Sequence, residues 1–370
     1  MILIIVVISW GAVVMLINTF AHLNGALKPA RGLFLILLLL NVHATVFAKE
    51  VITVAGVGDV MLGTDYPQDD LPPNQGQDLM KAVQSILQEA DLAFGNLEGA
   101  VLDGGQSSKV GCKNCFAFRM PEYLAPLLPA AGFDVMSVAN NHARDFGLQG
   151  FKNTERLLGE MGIEYAGSEE RPSVTFVKDG VRYGFAAFSA NQGMADLRDI
   201  PTAQRIVRDL ANNSDIVIVS FHGGAEGRSH QRVTRRMETF YGENRGNVYE
   251  FAHAVVDAGA DIVFGHGPHV TRAVEVYQDR FIAYSLGNFC TYGPFNVSGP
   301  NGVAPIITVH VTPSGEFVKA HVTSTRQEKR GRVLLDDSNQ VLKLLQKLTQ
   351  TDFPEQKLLI NDSGWIEQKR

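Results

Sequence analysis

The 370 residues are 45% hydrophobic and 19% charged, with 36 Gly and 15 Pro, a composition that supports a sizeable core with many turns and excludes collagen, a coiled coil or a disordered tail. A formal net charge of -6 gives no basic field for a polyanion and argues against nucleic-acid binding as the main activity. Phosphate chemistry in such a chain needs metal ions.

Residues 2–20, ILIIVVISWGAVVMLINTF, are long and apolar enough to span a bilayer as a helix. A second apolar run, Gly32 to Leu40, follows a spacer with Lys28 and Arg31 and precedes Val46-Phe47-Ala48 and Lys49, the order of a secretory signal peptide. Met15 offers that peptide a start, so residues 1–14 are either an over-extended beginning or an additional anchor. Export to the periplasm or cell surface follows. We expect 1–48 to be a signal peptide or membrane segment, 49–330 the principal domain, and 331–370 a C-terminal helix and tail packed on it.

From Lys49 onward, short β-branched runs alternate with helical stretches, the pattern of a helix-covered parallel or mixed sheet. A strand over 51–57 ends in Gly-Asp, a helix spans 77–89, and a strand over 91–94 runs into Gly-Asn-Leu-Glu. Cys112 and Cys115 then form a C-x-x-C without the second pair of a zinc ribbon or the strand-to-helix setting of a thioredoxin motif. A small loop-tying disulfide in an oxidising compartment is expected over two free thiols. A helix over 123–131, a strand over 134–138 ending in Ala-Asn-Asn-His, and a helix over 147–161 follow. Later strands span 182–188, 215–221 and 261–264, with a helix over 248–258. Residues 272–325 read as antiparallel strands around a Pro-Ser-Gly-Glu turn, with Cys290 a buried hydrophobe. A final helix over 338–348 is capped by Asp336-Asp337-Ser338.

Five strands finish in a polar cluster with a potential metal ligand: Asp59; Glu98; Asn140-Asn141-His142; His222; and His266 with His269. Each alone has a plain explanation as a turn cap, a solvated carboxylate or a satisfied core histidine. Together they do not, because four of the eight histidines after Lys49 stand directly behind predicted strands. Carboxyl ends of strands open onto the ligand crevice of an α/β sheet, so the clusters should converge. Carboxylate, amide and imidazole donors suit Mn, Fe(II) or Zn. A carboxylate shared by two such ions, with a His just beyond an Asn ligand as general acid, is the outline of a metal-dependent hydrolase.

The ordered motifs GDVMLG (58–63), GNLEG (95–99), SVANNHARDFGLQG (137–150), SFHGGAE (220–226), FGHGPHV (264–270) and AYSLGNF (283–289) resemble the CapA family of poly-gamma-glutamate capsule synthesis proteins, within the calcineurin-like metallophosphatase superfamily. The resemblance runs from about Val51 to the TDFP segment at 351–354. It implies a four-layer α/β/β/α sandwich holding one or two divalent ions (Mn, Fe or Zn). Asp59, Glu98, Asn141, His222, His266 and His269 are the implied ligands, and His142 the implied catalytic acid. Asn140, Glu226 and Asn288 would support the ligands or touch substrate. Arg119 and Arg272 could bind an anionic substrate, although ordinary ion-pair arginines are the commoner reading. Arg144 and Asp145 are expected to pair or to cap the following helix.

Two departures stand out. The Asp-x-His of wider phosphoesterases is here Asp59-Val60-Met61, and Met does not replace imidazole for a hard metal. The closing motif, His266-Gly-Pro-His269, has two residues between its histidines instead of one. Two functions follow: an exported hydrolase of a phosphoester or related polar ester or amide bond, or a non-catalytic component that binds or exports an anionic polymer beside capsule-synthesis membrane proteins.

Overall fold

Two mixed sheets, stacked face to face, organise the chain. The computed structural model describes residues 49–110, 116–328 and 330–369. Its strands are β1 (Ile52–Met61), β2 (Leu92–Leu97), β3 (Ala100–Val101), β4 (Arg119–Met120), β5 (Val135–Ser137), β6 (Glu164–Ala166), β7 (Ser173–Lys178), β8 (Val181–Ser189), β9 (Ile216–His222), β10 (Thr239–Phe240), β11 (Glu243–Asn244), β12 (Ile262–His266), β13 (Val274–Tyr277), β14 (Arg280–Ala283), β15 (Asn288–Thr291), β16 (Val303–Val311), β17 (Phe317–Gln327), β18 (Val333–Leu335), β19 (Leu358–Ile360) and β20 (Trp365–Gln368). The helices are α1 (Gln84–Glu89), α2 (Leu127–Ala131), α3 (Gly147–Glu160), α4 (Ile200–Ala211), α5 (Val248–Asp257) and α6 (Gln340–Asp352). The expected N-terminal segment and the Cys112–Cys115 pair lie outside the described residues. Among the described residues no helix is long and apolar enough to cross a membrane.

The first large sheet runs β19-β20-β17-β16-β1-β2-β5-β6, with β15 on the end of β1 and β18 on β17; the second runs β13-β14-β12-β9-β8-β7. Strand β1 is almost wholly buried, as an apolar run at the centre of a covered sheet must be. It pairs parallel with β2 and β15 and antiparallel with β16. Alternation along β9 turns Ile216 and Ile218 toward the first sheet and Val217 and Val219 toward α4 and α5. Helices α1, α2 and α3 lie against the first sheet, so the layers are helix, sheet, sheet, helix. Between the sheets Phe94 stacks on Phe264 at 5.3 Å and tilts against Phe185 at 5.5 Å. Gly56 makes room for this, since a Cβ there would lie 2.5 Å from the Phe264 ring.

Several elements differ from the sequence reading. The helix expected over 77–89 starts only at Gln84, because Asn74, Gln75 and Gly76 take left-handed backbone and the chain turns before it coils. The stretch 123–131 is divided into a 3-10 turn and α2 at Pro126, which has no N–H to continue a helix. Helix α4 was not anticipated, although Ala203, Ile206, Val207 and Leu210 line one buried face and Asp199 caps it by accepting from Thr202 N at 3.2 Å. Helix α6 begins at Gln340, whose N–H donates to Asp336 Oδ2 at 2.9 Å. It packs against β13, β16 and β17. Residues Lys49–Arg370 form one compact unit, and Cys290 is buried within it.

Candidate metal centre

Asp59 lies near the carboxyl end of β1, opposite Asn96 of β2 and Asn288 of β15. The preceding Gly58 permits this crossing: a Cβ there would sit 1.8 Å from Gly287 O, whereas the close approach lets Asp59 N donate to that oxygen at 2.9 Å. Glu98 follows directly on β2, and Asn141 follows β5. His222 and His266 end β9 and β12 in register with each other. His269 follows in a loop with left-handed backbone, φ 56°, and its ring returns to Asp59. The carboxyl ends of parallel strands from both sheets thus meet at one point.

Asp59 Oδ1 accepts from Asn96 Nδ2 at 2.9 Å and lies 3.2 Å from His266 Nδ1; Oδ2 is 3.0 Å from His269 Nδ1. His269 Nδ1 is also 3.0 Å from Asn288 Oδ1, and its Nε2 is 3.5 Å from Glu98 Oε1. Asp59, Glu98 and His222 offer ligand atoms that all lie within 4.8 Å of one another. Both ring nitrogens of His222, His266 Nε2, Glu98 Oε1 and Asn141 Oδ1 are buried without a hydrogen-bond partner among the described residues. Each such group costs about 1–3 kcal/mol. Those of His222 and Glu98 belong to the group gathered with Asp59, and carboxylate and imidazole donors so placed fit a divalent cation. Met61 contributes nothing here: it is fully buried, and its sulfur faces Gly63 N at 3.3 Å.

The charges of the metal-free chain show the same demand. Burial opposes ionisation of Asp59, but hydrogen bonds from His266 and His269 outweigh it and hold the carboxyl well below its ordinary range. Burial, followed by the charge of Asp59, pushes Glu98 well above the usual range. His222 is driven well below the ordinary imidazole value by burial. His269 goes the other way: burial lowers it, yet Glu98 and Asp59 raise it to about 10. With Glu98 and His269 both raised, the cluster offsets its buried carboxylates with protons, the compensation that a bound cation would supply instead.

His142 stands beside this cluster, its Nε2 4.0 Å from Glu98 Oε1. Its Nδ1 is 2.8 Å from Asp145 Oδ2, a fully buried carboxylate that also accepts from Phe118 N at 2.8 Å and pairs with Lys109 Nζ at 2.5 Å. Burial lowers His142 and Asp145 pulls it back. Phe118 lies 4.2 Å from the His142 ring and 4.7 Å from Phe295, which in turn lies 5.7 Å from His269. Asn140 ties the parts together: Nδ2 donates to Asn96 Oδ1 and Leu97 O, and Oδ1 accepts from His142 N.

The arginines singled out in the sequence have partners within the protein, as the commoner reading had it for Arg119 and Arg272. Arg272 does not face a substrate: it is 0% exposed and donates through two nitrogens to Glu238 at 2.8 Å each. Arg119 is engaged by Asp65 at 2.5 Å and Gly105 O at 3.0 Å, and lies over the rings of Tyr66 and Phe146. Arg144 and Asp145 do not pair; Arg144 donates to Gly193 O, while Asp145 serves His142. Glu226 contacts Arg245 at 2.9 Å. The sequence reading missed Asn96, Lys109, Glu238 and Arg245. Asn96 alone left a signal, as the polar residue in GNLEG two positions before Glu98.

The chain belongs to the bacterial capsule synthesis protein family PGA_cap, whose model matches residues 53–292. Among its relatives, the PGA biosynthesis protein CapA of Bacillus subtilis is 27% identical over 66% of this chain and 64% of its own length. The capsule biosynthesis protein CapA of Bacillus anthracis is 28% identical over 65% of this chain and 60% of its own. The match therefore spans less than two thirds of those relatives. A crystal structure of a hypothetical protein from Thermus thermophilus aligns with 75% of this chain and 100% of its own, at 16% identity and a TM-score of 0.46.

Proposed function

We propose that this chain is an exported, divalent-metal-dependent hydrolase that works in the synthesis of a capsule or poly-gamma-glutamate polymer and cleaves a phosphoester or related polar ester or amide bond. The observation that carries it is the gathering of Glu98, His222 and His266 around Asp59, with unpartnered buried atoms on Glu98 and His222. Family membership supports the biological setting. The signal-like order of residues 28–49 supports export.

Asp59, Glu98, Asn141, His222, His266 and His269 would hold one or two ions of Mn, Fe or Zn, which when bound supply Lewis acidity and a nucleophile at neutral pH. Asp59 would be central, since imidazoles reach both of its oxygens. Asn96 and Asn140 keep the carboxylates and His142 in register. The Asp145 carboxylate beside His142 Nδ1 would stabilise the imidazolium form, in which Nδ1–H donates to Asp145 and Nε2 carries a second proton to give to a leaving oxygen. Phe118 and Phe295 pack beside His142 and His269 on this side. A second reading, a non-catalytic polymer-binding or export component, is favoured by Met61, which offers no hard-metal donor in the first motif.

Elemental analysis of the purified protein beside His222→Ala and Asp59→Asn, with phosphodiester turnover on the same samples, tests the proposal. Stoichiometric metal that falls with turnover in both variants is expected. Absence of metal after incubation with Mn or Zn, together with absence of turnover, would overturn it in favour of the second reading.

A further inference from the structure

Between β9 and α5 the chain makes an excursion over 223–247, beginning next to His222. Its base is pinned by the buried Arg272, which donates to Glu238, to His230 O at 2.8 Å and to Ala225 O at 3.1 Å. Glu238 also accepts from Ala225 N at 2.9 Å, and its backbone pairs with Arg245 and Gly246. This frame fixes the position of Arg245.

The Arg245 side chain is only 7% exposed. Its Nη2 lies 2.9 Å from Glu226 Oε1, and its Nε lies 3.1 Å from Glu243 Oε2, a carboxylate that is 62% exposed and screened by water. Nη1 is buried and has no partner among the described residues. Arg245 O accepts from Gly224 N at 2.9 Å, two residues past His222, so the pair stands beside the strand end that brings His222 to the metal cluster. A buried guanidinium with an unused N–H calls for an oxygen, and its planar fork matches carboxylate and phosphate.

We propose that Arg245 binds an anionic oxygen of the substrate, of a carboxylate or a phosphoryl group, through Nη1 while Glu226 holds the guanidinium in place. This rests on the function proposed above and names the chemistry of what enters the site. The test is calorimetric binding of inorganic phosphate, and separately of a short γ-linked glutamate oligomer, to the Mn-incubated full chain. Wild type, Arg245→Ala and Arg245→Lys are compared, with metal content and thermal melting measured on the same samples.

Wild type is expected to bind at least one probe, Arg245→Ala to weaken that binding about tenfold or more, and Arg245→Lys to restore it in part, because Lys keeps the charge and loses the fork. Metal content is expected to stay unchanged. Preference for phosphate identifies a phosphoryl group; preference for the oligomer identifies a carboxylate. Equal affinity in wild type and both variants overturns the proposal, as does failure of wild type to bind either probe. If Arg245→Ala does not fold, the comparison of Arg245→Lys with wild type decides. Arg245-dependent anion binding in a protein without metal or turnover would sink the hydrolase reading and leave this one standing.

Discussion

Arg272→Met leaves the Glu238 carboxylate, nearly buried, without the guanidinium that neutralises it. Removing one partner of a buried ion pair costs about 3–5 kcal/mol, because the remaining charge stays desolvated. The folded unit Lys49–Arg370 has an unfolding entropy of roughly 0.7 kcal/mol/K at about 2.1 cal/mol/K per residue, so the loss lowers Tm by about 4–7 °C. Differential scanning calorimetry of the purified protein measures it. Arg272→Met combined with Glu238→Leu should recover much of the loss, since no buried charge then lacks a partner. A single variant melting within about 1 °C of wild type, or a double variant no more stable than the single, would refute the ion pair as the anchor of the 223–247 excursion.

Gly58→Ala places a methyl against the Gly287 carbonyl, where no flexible side chain can yield. We expect a loss of about 3 kcal/mol or more with loss of bound metal, and wild-type melting with full metal content would count against the strand crossing. Asp145→Asn should keep metal content and lower turnover about 100-fold with little change in KM; a change in KM alone would remove Asp145 as the residue that positions His142. Burial pushes Asp261 up to about 6 despite the Val217 N–H and Arg280. Its folded value thus lies above the unfolded one of about 3.9, so its contribution is complete below about pH 4 and up to about 3 kcal/mol is lost as pH rises through 6. Urea unfolding of Asp261→Asn should show a flatter pH dependence between about pH 4 and 7, and an unchanged slope would contradict this.

The convergence of the site was legible because it depends on a local rule. Asp59, Glu98, Asn141, His222 and His266 each sit at or behind the carboxyl end of a strand, and parallel strands bring those ends to one edge. What escaped depends on pairings that no local period encodes. Glu238 lies 34 positions before Arg272, in a segment without regular structure of any length, and nothing near Arg272 marks it as a core cation. Asp145 read as a partner of Arg144 or a cap of the following helix; its ring partner is His142, three positions earlier. Arg235 likewise pairs with Glu355, donates to Asp352 O and lies over Tyr249 and Phe353, partners more than a hundred positions away or on another element. Helix α4 was lost in a stretch opened by Pro201, although Pro is well placed in a first turn.

The choice between a hydrolase and a polymer-binding component turns on Met61 and Asp145, which pull in opposite directions. Met61 subtracts one donor, and a metal site with several remaining carboxylate, amide and imidazole groups can tolerate that. Asp145 is a fully buried carboxylate whose desolvation must be offset, and the Phe118 N–H, Lys109 and His142 all turn toward it. Binding an anionic polymer gains nothing from an extra buried negative charge beside the site. Orienting an imidazole with Nε2 toward Glu98, and stabilising its protonated form, is what such a charge does. The carboxylate behind His142 therefore weighs more for turnover than the methionine in the first motif weighs against it.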